Sequence, residues 1–146
     1  MKKITLILIS IFISLQANYI SIKENPEKLK TIEFKCDLGD TKSCKKIINI
    51  YKKYNKFNLV NKYAAIDCKL NSKESCYLLG KNILEGKGAL YNRNKGLKII
   101  EIACNKNSKK ACFDLIKYKK NNNQFIEKAC ILGEQKACDL YKRNHE

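Results

Sequence analysis

The chain has 146 residues, with 30 lysines and arginines against 14 acidic residues, a formal net charge of +16, and a single histidine. That length suits one domain, and one histidine cannot furnish a multi-histidine metal centre. The charge is nearly all lysine, since only Arg93 and Arg143 are arginine; without arginine's bidentate fork among aromatics, the pattern argues against a nucleic-acid reader.

Met1 to Ala17 reads as a secretory leader. Lys2 and Lys3 form its basic start, Ile4 to Leu15 its apolar run, and Leu15-Gln16-Ala17 its cleavage site. The run is short for a membrane span, and no second one follows, so no stable membrane insertion is expected. An uncleaved anchor is the competing reading. Cleavage predicts a mature chain from Asn18, lighter by two positive charges and either secreted or periplasmic. Residues 18–24 then form an extended lead-in.

A repeat domain is expected over 25–144. Asn25-Pro26-Glu27 carries a helix start, with Asn as cap, Pro at the first position and Glu in the first turn. Leu29, Ile32 and Cys36 recur at helical spacing, and Cys44, Ile47, Ile48 and Tyr51 mark the next stripe. Residues 55–58 read as a loop and 59–69 as a helix with Val60, Tyr63, Ala64 and Cys68 inward. Cys76, Leu79, Gly80, Ile83 and Leu84 form the clearest amphipathic helix. Glu85-Gly86-Lys87-Gly88 breaks it, and Gly96, Ile99, Ile100 and Ala103 share the next face. Glycine inside a helix costs roughly 1 kcal/mol relative to alanine, so Gly80 and Gly96 predict a close helix crossing. Cys112, Leu115 and Ile116 continue the stripe, 121–123 reads as a loop, Phe125 to Cys130 builds another helix, and Cys138 opens a last one. No strand signal competes.

All eight cysteines fall into four pairs with one spacing: Cys36 and Cys44, Cys68 and Cys76, Cys104 and Cys112, Cys130 and Cys138. In one straight helix such residues stand about 12 Å apart, whereas a disulfide needs Cα atoms within roughly 7 Å. If each pair bonds, the chain must reverse inside it. Gly39-Asp40, Asn71-Ser72, Asn107-Ser108 and Gly133 suit such turns, because Gly and Asn tolerate the left-handed conformation and Ser caps the next helix. Reduced, buried cysteines are the alternative; zinc fits less well, since its ligands usually come as Cys-x2–4-Cys with partners. An exported chain favours bonding, worth about 2.6 kcal/mol per nine-residue loop before strain in the chain-entropy model. The first cysteines stand at 36, 68, 104 and 130, a recurrence of 32, 36 and 26 residues. Two helices per such period predict an α-solenoid, in units of about 36–67, 68–103, 104–129 and a partial 130–144. The first unit lacks the Gly-rich loop of the second.

Cys76-Tyr-Leu-Leu-Gly80, Ile83-Leu-Glu-Gly86-Lys-Gly88-Ala89, Asn94-Lys95-Gly96 and Ala103-Cys104 together resemble a Sel1-like repeat. With the Cys-x7-Cys pairs, the chain resembles the Helicobacter cysteine-rich protein family over roughly residues 24–144. The resemblance implies an all-α, α/α solenoid of Sel1-like (TPR-related) helix-turn-helix repeats with one disulfide per repeat. It also implies a binding scaffold or, from the family's penicillin-binding members, a weak β-lactamase.

The residues offer little for that second activity. Serine β-lactamases carry Ser-x-x-Lys, a Ser-Asp-Asn-like element and Lys-Thr/Ser-Gly. Ser43-Cys44-Lys45-Lys46 matches the first by a four-letter pattern in a lysine-rich chain, and the others do not occur. Asp37, Asp40 and Asp67 read as helix-end or surface polarity, and His145 as a tail residue. Tyr51 and Tyr63 read as core; Tyr54, Tyr77 and Tyr118 are left open between core and binding face. No catalytic, metal or cofactor residue is therefore assigned, and no cofactor is expected. The expected function is an exported, monomeric scaffold for a protein, peptide or cell-envelope polymer, with a β-lactam as the ligand of the alternative reading.

Overall fold

A computed structural model describes residues 26–119 and 121–146. The leader, the lead-in and the Asn25 cap lie outside the described residues. Among those residues the chain forms eight helices and no strand: α1 Pro26–Asp37, α2 Thr41–Lys53, α3 Phe57–Lys69, α4 Lys73–Glu85, α5 Arg93–Asn105, α6 Lys109–Tyr118, α7 Asn123–Ile131 and α8 Gln135–Arg143. Each helix packs on the next, and α1 also reaches α3. Such near-neighbour packing is the architecture of a helical solenoid.

Every second connection is a stapled turn. Disulfides join Cys36 to Cys44, Cys68 to Cys76, Cys104 to Cys112 and Cys130 to Cys138, with Cα atoms 4.6, 4.6, 4.7 and 4.5 Å apart. The reversal has one recipe. The third residue after the first cysteine is left-handed: Gly39, Asn71, Asn107 or Gly133. The next residue caps the following helix. Asp40, Ser72 and Ser108 accept the backbone N–H of Lys42, Ser75 and Ala111. Because the cap comes this early, α2 and α8 start at Thr41 and Gln135, and the second cysteine lies one turn inside its helix rather than opening it. Similarly α3 begins at Phe57 rather than Leu59, since the α2–α3 connection spans only 54–56.

The core follows the stripes. Ile32, Ile47, Ile48, Val60 and Ala64 pack around Tyr51 and Tyr63 in the first half, the two rings stacked with centroids 5.9 Å apart. Leu97, Ile100, Leu115 and Phe125 anchor the second half. Helices α4 and α5 cross where Gly80 meets Gly96: a Cβ on Gly80 would stand 2.7 Å from Ile100 Cγ1 and 3.0 Å from the Gly96 carbonyl oxygen.

Candidate functional site

The eight cysteines serve the fold. Cys36, Cys44, Cys76, Cys104 and Cys112 are fully buried, and no cysteine is free. Lysines tie successive stapled turns together. Lys73 Nζ donates to the Asn107 carbonyl at 3.1 Å, Lys109 Nζ to that of Gly133 at 3.4 Å, and Lys128 Nζ to that of Asn105 at 3.3 Å. Lys106 bonds the Asn71 side chain. Lys128 meets the last carbonyl of α5, where the helix dipole favours positive charge, and the other three bond the turns between helices. Part of the lysine excess therefore has a structural use.

The catalytic candidates are engaged elsewhere. Ser43 is buried, and its hydroxyl donates to Asp40 Oδ2 at 2.6 Å. That bond, against slight desolvation, holds the Asp40 carboxyl below its ordinary range, which makes it a poor proton acceptor. Asp67 is not surface polarity: it is fully buried. Its Oδ2 accepts the Ser75 hydroxyl at 2.6 Å, Ser72 bonds Ser75 at 3.2 Å, and its Oδ1 has no protein partner. Asp67 continues the Val60, Tyr63 and Ala64 stripe at helical spacing, so periodicity places it inward; its charge suggested the surface, and the serines beyond the α3–α4 turn supply its partners. Among the described residues no group of three or more His, Cys, Asp or Glu could hold a metal. His145 is exposed against the edge of Tyr141.

Of the open tyrosines, Tyr77 bridges α4 to α6 by donating its hydroxyl to Asp114 Oδ2 at 2.8 Å. Burial first, and then Asp114, push this phenol well above its usual range. Lys81 lies 3.6 Å from Asp114 and 3.4 Å from Glu85; desolvation works against its charge, but the two carboxylates outweigh it and raise the ammonium's pKa. Tyr118 lies beneath the Arg93 guanidinium at 5.5 Å. The Tyr77–Asp114, Lys81–Asp114 and Arg93–Tyr118 contacts join the second unit to the third.

Tyr54 belongs to a different place. With Lys28, Leu29 and Ile32 of α1, Lys46, Ile50, Tyr51 and Lys53 of α2, and Lys56 and Leu59 at the start of α3, it lines a groove of about 390 Å³. Its floor is apolar: Ile32 and Tyr51 are buried, and Leu29, Ile50 and Leu59 are half-buried. Its rim is four lysines, and no carboxylate is among the described lining residues. Glu33 is turned to the Tyr51 hydroxyl instead; burial and then this carboxylate push the phenol far up.

The middle unit explains why the groove exists. There the loop 86–92 folds back over the start of α3, with Gly88 so close that a Cβ would stand 2.2 Å from the Phe57 carbonyl carbon. Asn61 Nδ2 holds the loop by donating to the Lys87 carbonyl at 2.7 Å, and Asn82 Nδ2 donates to Asn61 Oδ1 at 2.7 Å. Counted from the paired cysteines, the first-unit counterparts of Asn61 and Asn82 are Leu29 and Ile50. Both amides are replaced by hydrocarbon, and the three-residue connection 54–56 has nothing to lay over them. Sequence reasoning missed this groove because its lining comes from three helices with no shared motif; the short first connection was the one available signal.

No family model matches the chain, and no curated protein matches it in sequence. Solved structures do. A Sel1 repeat protein from Oxalobacter formigenes superposes with a TM-score of 0.61 at 17% identity, over 81% of this chain and 57% of that one. This chain therefore spans little more than half of that protein. The fold is accordingly that of a Sel1-like helical repeat protein, with one disulfide to each stapled hairpin. Helicobacter pylori cysteine-rich protein B superposes with a TM-score of 0.55 at 25% identity, over 82% of this chain and 94% of that one. The two neighbours thus match the Sel1-like, cysteine-rich family that the sequence resembles.

Proposed function

We propose that this chain is an exported, disulfide-stapled scaffold that binds a protein, peptide or cell-envelope ligand in the first-unit groove. The groove carries the reading: an apolar floor that no described residue covers, on a disulfide-stapled frame and surrounded by cationic side chains. Pockets for ligands are typically such apolar concavities with a few placed polar groups. Four disulfides point to an oxidising, extracytoplasmic setting, and no helix among the described residues is long and apolar enough to cross a membrane.

Ile50→Asp tests the reading, because it puts a charge on the half-buried floor without touching a staple. Oxidised wild-type protein immobilised against envelope extract should retain a ligand at low and high salt, and the variant should lose it. Equal retention by the two would contradict a role for the groove. Hydrolysis of nitrocefin by oxidised protein, above a reduced and alkylated control, would replace the scaffold with the catalytic alternative.

A further inference from the structure

We infer that the first-unit groove takes a short peptide segment bearing apolar anchors flanked by carboxylates; this rests on the scaffold reading above and gives its ligand a chemistry. The middle unit supplies the precedent, because there the matching region is covered by polypeptide, the loop 86–92 of the chain itself. That loop is held through main-chain hydrogen bonding to a buried amide pair. In the first unit the two positions are Leu29 and Ile50, which offer no hydrogen bond. A segment lying there must be held by apolar side chains against Leu29, Ile32, Ile50 and Leu59.

Charge selects the flanks. Lys28, Lys46, Lys53 and Lys56 surround the floor, and all four are exposed. A cationic segment would meet like charges around the apolar floor, whereas carboxylates would be attracted to them. Oppositely charged rims raise the association rate and reject like-charged competitors. An anionic lipid would satisfy the same charges, so the test separates the two.

The probes are a synthetic peptide of alternating Leu and Glu, its Leu/Lys and Ser/Glu counterparts, and phosphatidylglycerol vesicles, each titrated into the oxidised mature protein. The Leu/Glu peptide should bind at least roughly tenfold more tightly than either counterpart. The double substitution Lys46→Glu/Lys53→Glu, at exposed positions that leave the core intact, should reverse the preference toward Leu/Lys. Equal binding of Ser/Glu would mean charge alone and would overturn the proposal, as would binding of vesicles with no binding of peptide. A photo-crosslinking residue at Ile50 distinguishes the two levels. Crosslinking to envelope components without any Leu/Glu binding would sink the peptide chemistry and leave the scaffold. No crosslinking and no peptide binding would remove both.

Discussion

Gly88 and Gly133 are both left-handed, at φ of 65° and 85°, yet a side chain would meet very different surroundings. At Gly133 an added Cβ has nothing within 4 Å, whereas at Gly88 it would lie 2.4 Å from the Asn58 backbone nitrogen. Gly133→Ala should therefore cost about 1 kcal/mol, the conformational penalty alone. Gly88→Ala should cost about 3 kcal/mol, because backbone must also move. Urea unfolding with the disulfides intact would show both. Asn82→Ala should cost about 2 kcal/mol by stranding buried amide groups, and hydrogen exchange should quicken across 86–92. Asp40 gives a pH signature. Its folded pKa is lowered, so its contribution is present above the unfolded carboxylate value and is lost as pH falls through the lowered one. The difference in Tm between wild type and Asp40→Asn should shrink as the pH is taken down into the acid range; a difference that stayed constant would contradict the cap's role.

Each stapled hairpin is an element whose chemistry was legible in the chain. The turn needs a left-handed residue and then a cap, and Gly39-Asp40, Asn71-Ser72 and Asn107-Ser108 supply both. Gly80 and Gly96 likewise announced their crossing, because glycine inside a helix is costly without a close neighbour. Helix starts were less legible. Cysteines fall on the apolar stripe, so they mark a face rather than an end, and the cap lies a turn earlier. Replacing Cys104 and Cys112 together by alanine should cost about 2.6 kcal/mol. Reduction should not be uniform: Cys104 and Cys112 are fully buried, whereas Cys130 and Cys138 are only half-buried near the end of the stack. Limited reductant followed by alkylation should label Cys130 and Cys138 first, and prior labelling of Cys104 and Cys112 would contradict the burial seen here.

Over the whole molecule, the lysines have several uses. Some join successive turns through backbone carbonyls, others such as Lys81 and Lys119 pair with carboxylates, and four surround the groove. Composition gives their number but not these uses, since they depend on helices that meet only in three dimensions. The groove was hidden for the same reason: Leu29 reads as one member of an ordinary core stripe, and Ile50 and Leu59 fall outside the stripes of their own helices. Asp67 was misread from its charge: its spacing from Val60, Tyr63 and Ala64 places it on the buried stripe, and Ser72 and Ser75 beyond the turn supply the partners that a buried carboxylate needs. All of this depends on the register that the staples impose, since a different cysteine pairing would dismantle the hairpins, the Gly80–Gly96 crossing and the groove together. Peptide mapping of the unreduced protein tests that register most directly. The expected links are Cys36–Cys44, Cys68–Cys76, Cys104–Cys112 and Cys130–Cys138; a bond between two different pairs, or free thiols throughout, would contradict it.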